Sequence, residues 1–297
     1  MRRILALMAA FALLLPAVVA VAQSPAKMEP GPPKVLDIIR EESKPGKTMA
    51  HRKHEAAWTQ AFIQAGGFPY SLTISSVTGR DEDWFMTGFE SFAALEKFNQ
   101  SFESKPAYQK IMETYAPKES DFVSESRTIT ARYRPDLSYK PDFKLGEYKY
   151  FNVAQVRYKL GSDPAEIGKI LNTAREKGNV EYHMVAYQVN SGMAVGTYIY
   201  FTPIKSLSEW DQPPNQAYND ALKEAKFDEA VGKAVMNVEF RLFAFNPKLS
   251  YMPESVTKLN PAFWNPKTQT AKSPAAKATT PTAKKDAKPK ESKTEKK

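Results

Sequence analysis

The 297-residue sequence contains no cysteine. That excludes disulfides, a lipidated-cysteine anchor, thiolate metal centres and a cysteine nucleophile, so the fold must rest on its core alone. Histidine is almost as scarce, with only His51, His54 and His183. The 13 glycines form neither a phosphate-cradling loop nor a nucleophile elbow. The body of the chain also lacks a net charge. Residues 265–297 carry ten Lys against Asp286, Glu291 and Glu295, and Arg2 and Arg3 stand at the other end, which leaves 30 basic and 30 acidic residues in 23–264. The formal charge of +9 therefore belongs to the ends, and no nucleic acid is expected on the folded body.

What is present at the N-terminus reads as an export signal. Met1-Arg2-Arg3 precede the apolar run Ile4 to Val21, and Ala20-Val21-Ala22 form a small-residue cleavage site before Gln23. The expected localisation is periplasmic or extracellular; an uncleaved anchor is the alternative. Residues 23–33 form a Pro-rich spacer with Pro25, Pro30, Pro32 and Pro33. Residues 265–297 lack aromatic and large aliphatic side chains and read as a disordered Lys-rich tail, suited to electrostatic contact with an anionic envelope surface.

Between these ends one word occurs twice. "PDLSYKP" at 135–141 returns as "PKLSYMP" at 247–253, a spacing of 112 residues, and Gly66 with Gly178, Tyr70 with Tyr182 and Val77 with Val189 keep the same spacing. Small shifts align Arg40 with Arg157, Ser91 with Ser206 and Ala107-Tyr108 with Ala217-Tyr218. Each copy alternates strand-like and helix-like patterns. The first runs from "KVLDIIREE" through the helical "TMAHRKHEAAWTQAFIQAGG", the alternating "PYSLTISSV", the polar tip "TGRDED", "WFMTGF" and a helix interrupted near Pro106 to "RTITARY". The second runs from "YKYFNVAQVRYKL" through a helix opened by Asp163 and Pro164, then "EYHMVAYQV", "AVGTYIYF" and a helix with the capping box Ser206 to Glu209, to "EFRLFAF". The order β-α-β-β-α-β in each copy is that of ferredoxin-like folds.

The expected fold class is α+β, with two tandem ferredoxin-like units at 34–141 and 142–253 and a C-terminal extension at 254–264. With this element order, "REESKPGK" after the first strand and the duplication, the chain resembles the dimeric α/β barrel superfamily. That superfamily includes NIPSNAP-like proteins, antibiotic-biosynthesis-type monooxygenases, haem-degrading enzymes and chlorite-dismutase-like haem proteins. The resemblance implies an intrachain barrel in which one polypeptide makes a monomeric pseudo-dimer. It implies two function classes: a small-molecule-binding module, or an oxygenase-type enzyme, either cofactor-independent or a haem protein, using the space between the sheets. The residues themselves require no cofactor, and haem is compatible with the resemblance alone.

Alternation sets candidate ligand-binding residues. If Tyr70, Leu72 and Ile74 face the helices, His183 and Tyr187 face the space between the sheets, shared with Tyr198, Tyr200, Arg157, Arg241, Asp37 and Arg40. A second candidate pair, His51 and His54, lies three residues apart on the first helix, with His54 on the Ala50, Ala57, Trp58, Ala61 stripe packed on Trp58 and His51 in solvent. "HEAAW" places Trp58 where a zinc-protease helix needs its second histidine, so no metal site is predicted and no catalytic residue is assigned. Asp81, Glu82 and Asp83 lack the glycine and distant glutamate of a calcium loop and are expected at a solvated hairpin tip.

Overall fold

A computed structural model describes residues 31–213 and 215–265. The signal segment 1–22, most of the spacer and the tail from 266 onward lie outside the described residues. The described chain is mixed α+β and closes into an eight-stranded antiparallel barrel.

The first half runs β1 (Val35–Ser43), α1 (Thr48–Ala65), β2 (Ser71–Ser76), β3 (Glu82–Phe89), α2 (Phe92–Ser104), α3 (Pro106–Glu119) and β4 (Val123–Tyr133). The second runs β5 (Tyr150–Tyr158), α4 (Pro164–Lys177), β6 (Val185–Ser191), β7 (Thr197–Ile204), a 3-10 turn at Leu207–Asp211, α5 (Gln216–Glu224), α6 (Phe227–Ala234) and β8 (Val235–Phe245). Local chemistry sets the boundaries. Ser91 caps α2 by accepting from the Ala94 N–H, Pro106 starts α3 where no amide hydrogen is needed, and Asp163 caps α4 from the Ala165 N–H.

Around the barrel the order is β1-β3-β2-β8-β5-β7-β6-β4. Each half therefore contributes four strands whose first member lies between its third and fourth, and the halves meet at β2–β8 and β4–β6. Both junctions are short: Ile74 to Ser76 pair with Phe245 to Phe243, and Thr130 to Tyr133 pair with Ser191 to Tyr187. The repeated word reinforces them. After β4, Tyr139 bridges to Met184 just before β6, and the Ser138 hydroxyl accepts from the Ala186 N–H at 3.0 Å. After β8, Tyr251 bridges to Ser71 and Ser250 accepts from the Thr73 N–H at 2.9 Å. The same five residues recur because each half clasps the other in the same way.

Alternation along the strands fills the interior with Leu36, Ile38, Leu72, Ile74, Trp84, Ile129, Val153, Tyr187, Ile199, Phe201 and Phe243, all buried in one cluster. Ring contacts such as Trp84–Phe243 at 5.0 Å and Phe151–Phe245 at 4.7 Å span it. Burial of each such side chain contributes about 1.5–3 kcal/mol, and close packing leaves no room for a ligand. The expected inter-sheet cavity is therefore a solid core. The predicted C-terminal extension seals one end: α7 (Glu254–Thr257) and α8 (Pro261–Trp264) bring Val256 and Trp264 into the same cluster, and the Trp264 indole donates to the Gly146 carbonyl at 3.0 Å. At the other end Glu82 pairs with both Arg40 and Arg241.

Leu72 and Ile74 thus face inward, and Ser71, Thr73 and Ser75 face the helices, the reverse of the expectation. The register explains it. Leu72 opposes Met86 and Val185 opposes Phe201, so β2 and β6 correspond at a spacing of 113, and a match at 112 slips one residue and exchanges the faces. The same counting pairs Arg40, sixth in β1, with Gln155, sixth in β5, and corrects the Arg40–Arg157 alignment.

Candidate active site: a buried histidine and carboxylate cluster

The outer face of β1 carries Asp37, Ile39, Glu41 and Ser43, of which Glu41 and Ser43 are buried and Ile39 is exposed. On α1 the buried face is His51, Glu55 and Phe62, at i, i+4 and i+11, and not the alanine stripe. These two faces meet Asp83 of β3, which stands opposite Glu41 in the register, and Glu119, the last residue of α3.

At the centre is His51, which is fully buried where solvent was expected. Its Nε2 lies 3.0 Å from Glu41 Oε2 and 3.2 Å from Glu119 Oε1. Its Nδ1 lies 3.3 Å from Ser43 Oγ and 3.6 Å from Asp83 Oδ2. Asp83 is held by both oxygens on the Arg52 Nε at 3.1 Å and by the Ser75 hydroxyl. Glu55 is 7% exposed, and its Oε1 has no hydrogen-bond partner. One ligand atom from each of Glu41, His51, Glu55 and Glu119 falls within 4.8 Å of every other.

The protonation states follow from this crowding. Burial works against the His51 imidazolium, but the carboxylates of Asp83, Glu119 and Glu41 around it outweigh it and push the group up to about 11. Burial, with Glu41 and Glu119 alongside, pushes the Glu55 carboxyl up to about 9. Burial opposes charge on Asp83 as well, yet His51, Arg52 and Ser75 hold it below the usual range, and His51 does the same for Glu119.

Beside the cluster is an aromatic wall. His54 sits 5.7 Å from Trp58, 5.5 Å from Tyr115 and 5.2 Å from Phe122 by ring centroids, with its Nε2 3.5 Å from Glu119 Oε2. Trp58 and Tyr115 stack at 5.9 Å and 12°.

The second half shows what the architecture requires at these positions. Val156 and Tyr198 stand opposite each other on β5 and β7 where Glu41 and Asp83 stand on β1 and β3. Counted from the helix start, Ile167 and Leu171 of α4 occupy the places of His51 and Glu55 of α1. An ordinary apolar cluster results, with Val156, Ile167, Leu171 and Tyr198 packed together.

The residues singled out from sequence do not meet in one space. Tyr187 lies inside the barrel, its hydroxyl donating to the Pro33 carbonyl at 3.1 Å. Arg40 and Arg241 share Glu82 at the barrel end, where burial, then Arg40, lowers Arg241 to about 10. Asp37 is half-buried on the outer face of the first half, and burial raises its carboxyl to about 6. Tyr198 and Tyr200 face the helices of the second half, with Tyr200 bonded to Tyr158 at 3.0 Å and Tyr198 accepting from Arg134 at 3.1 Å. Arg157 is exposed. His183 precedes β6, so strand alternation does not place it; its Nδ1 contacts the Lys140 carbonyl at 2.6 Å and its ring packs on Phe143 and Tyr148. Of the predicted hairpin-tip acids only Asp81 is exposed, while Glu82 and Asp83 are fully buried.

Sequence reasoning missed Glu41, Glu55, Asp83 and Glu119. The available signal was His51 and Glu55 at i, i+4 in line with Phe62.

No protein-family model and no curated protein matches the sequence. Solved structures with similar architecture include an anthrone oxidase-like protein, at 13% identity and a TM-score of 0.45 over 72% of this chain and 92% of that one. A Fusobacterium nucleatum protein provisionally described as a monooxygenase matches at 10% identity and 0.45, over 73% of this chain and 94% of that one. Chlorite dismutase from Candidatus Nitrospira defluvii, in complex with imidazole, matches at 11% identity and 0.42, over 73% and 92%. At such scores the functional reading rests on the geometry of this chain.

Proposed function

We propose that the protein is an enzyme of the oxygenase type whose reaction centre is the outer-face cluster of the first half, and not a module that holds a ligand inside the barrel. The observation that carries this is the contrast between the halves. The same positions are filled by Val156, Ile167, Leu171 and Tyr198 in one half and by Glu41, His51, Glu55 and Asp83 in the other. Burying three carboxyl groups and a histidine where three aliphatic side chains and a tyrosine suffice costs stability, so their presence is explained by chemistry. The aromatic wall of Trp58, Tyr115 and Phe122 suits a flat aromatic substrate, with dioxygen as co-substrate. The filled interior argues against both the ligand module and a haem between the sheets.

The test is dioxygen uptake by the full chain with reduced polycyclic phenols, compared with Glu55→Gln. Uptake that Glu55→Gln removes while the fold persists is the expected result. Tight binding without uptake restores the binding-module reading. The same proposal includes two ferredoxin-like units derived from one duplicated unit, a monomeric pseudo-dimer, export with a mature terminus at Gln23, and tail contact with an anionic envelope. Intact mass of exported protein that retains residues 1–22 would contradict the cleaved signal.

A further inference from the structure

We propose that Glu41, His51, Glu55 and Glu119 are the ligands of one divalent first-row transition-metal ion of the manganese, iron and zinc group, with Asp83 and Ser43 orienting the imidazole from behind. This rests on the reading of the cluster as the reaction centre and names the cofactor it takes.

Size is the first argument. Imidazole and carboxylate donors bind such ions at about 2.0–2.2 Å, so opposite donors stand at most about 4.4 Å apart. Four donor atoms already within 4.8 Å need only a small contraction to meet that sphere. Unused bonding capacity is the second. Glu55 is nine-tenths buried, yet its Oε1 has no hydrogen-bond partner, and neither Glu119 oxygen meets a donor in good geometry. Buried polar atoms are normally satisfied, so three orphaned carboxylate oxygens beside one another indicate a missing cation.

His51 is also divided between two sets of partners. Nε2 points at Glu41 and Glu119, and Nδ1 at Ser43 and Asp83. A ligating imidazole has this arrangement: one nitrogen among the other ligands, the second giving its N–H to a carboxylate that fixes the ring. Asp83 is itself fixed by Arg52 and Ser75, as an orienting group should be. The donor set then limits the ion. Imidazole disfavours calcium and magnesium, which take oxygen, and the absence of thiolate disfavours copper(I).

The test is titration of chelator-stripped full chain with Mn2+ and with Zn2+ by calorimetry. The expected result is one ion per chain, with proton release as the cluster ionises. Glu55→Gln should weaken Mn2+ binding by at least about tenfold, and Asp83→Asn, acting through His51, by about 10- to 100-fold. Glu113→Gln, exposed on α3, should leave it unchanged. Pulsed electron paramagnetic resonance of the unmodified protein with Mn2+ should show coupling to one imidazole nitrogen, so a variant that fails to fold does not protect the proposal. Failure of both ions to saturate at millimolar concentration, equal affinity in Glu55→Gln, or no nitrogen coupling overturns it. Mn2+ binding without substrate oxidation defeats the enzyme reading alone, whereas undiminished turnover in chelator-stripped protein defeats the metal alone.

Discussion

Replacing His51 by alanine isolates the energetics of the cluster. In metal-free protein the imidazolium contacts both Glu41 and Glu119, at 3.0 and 3.2 Å, and it also supports Asp83. Its removal leaves carboxylates facing one another in a buried site, which costs about 3–5 kcal/mol. For a chain of this size that lowers Tm by on the order of 10 °C. Replacing Glu41 by valine, His51 by isoleucine and Glu55 by leucine together copies the second half. Asp83 then keeps Arg52 and Ser75, and Glu119 keeps His54, so the triple variant should be as stable as the original or up to about 4 kcal/mol more so. Urea melts in the presence of a chelator, followed by tryptophan fluorescence, read both. The sign with pH is fixed as well. A histidine raised from 6.5 to about 11 contributes stability that is fully present below pH 6.5 and lost as pH rises toward 11, so the penalty of His51→Ala should shrink over that window. A neutral His51→Ala, or a triple variant as damaged as the single one, would refute the reasoning.

The Asp37 carboxyl, raised from 3.8 to about 6 by burial, disfavours the folded state once ionised. Stability should fall as pH rises from about 4 to 6. Because part of the group still meets solvent, Asp37→Asn should recover only about 1–2 kcal/mol above pH 6 and nothing below pH 4, as denaturant melts across pH would show. Ser138→Ala and Ser250→Ala each remove the acceptor of an amide that joins the two halves, and each should cost about 1–3 kcal/mol in the same assay; a neutral result at both would refute the clasp. Trp264→Ala should cost about 3–5 kcal/mol because the indole closes the barrel end, and an unchanged melt would show the seal to be dispensable. Gly192→Ala should destabilise strongly, since a Cβ there would lie 2.1 Å from the Thr128 carbonyl at the β4–β6 junction and φ is +89°.

The parts of this fold that follow local rules were legible in the sequence. Strand and helix order came from periodicity, and helix starts from Ser91, Pro106 and Asp163. The repeated Leu-Ser-Tyr word marked the two places where the halves close on each other. Facing was harder to read, because one residue of slip between β2 and β6 exchanges interior and exterior, and it carried His183 into a strand it precedes. The cluster was harder still. Its members come from positions 41, 51, 55, 83 and 119, spread over two strands and two helices, and each alone looks like a surface charge. Asp83 follows Asp81 in a run that reads as a solvated tip, yet strand pairing turns it under α1 opposite Glu41. Only the second half, with Val156, Ile167, Leu171 and Tyr198 at the matching places, reveals how unusual these charges are.

The most direct measurement is anomalous diffraction at the manganese edge from crystals of the protein soaked in Mn2+. One strong peak bonded to Glu41, His51, Glu55 and Glu119 is expected, with Asp83 on the far side of the imidazole, and no such peak in crystals of Glu55→Gln. A cluster without a peak, with His51 still paired to its carboxylates while Mn2+ binds elsewhere, would contradict this expectation.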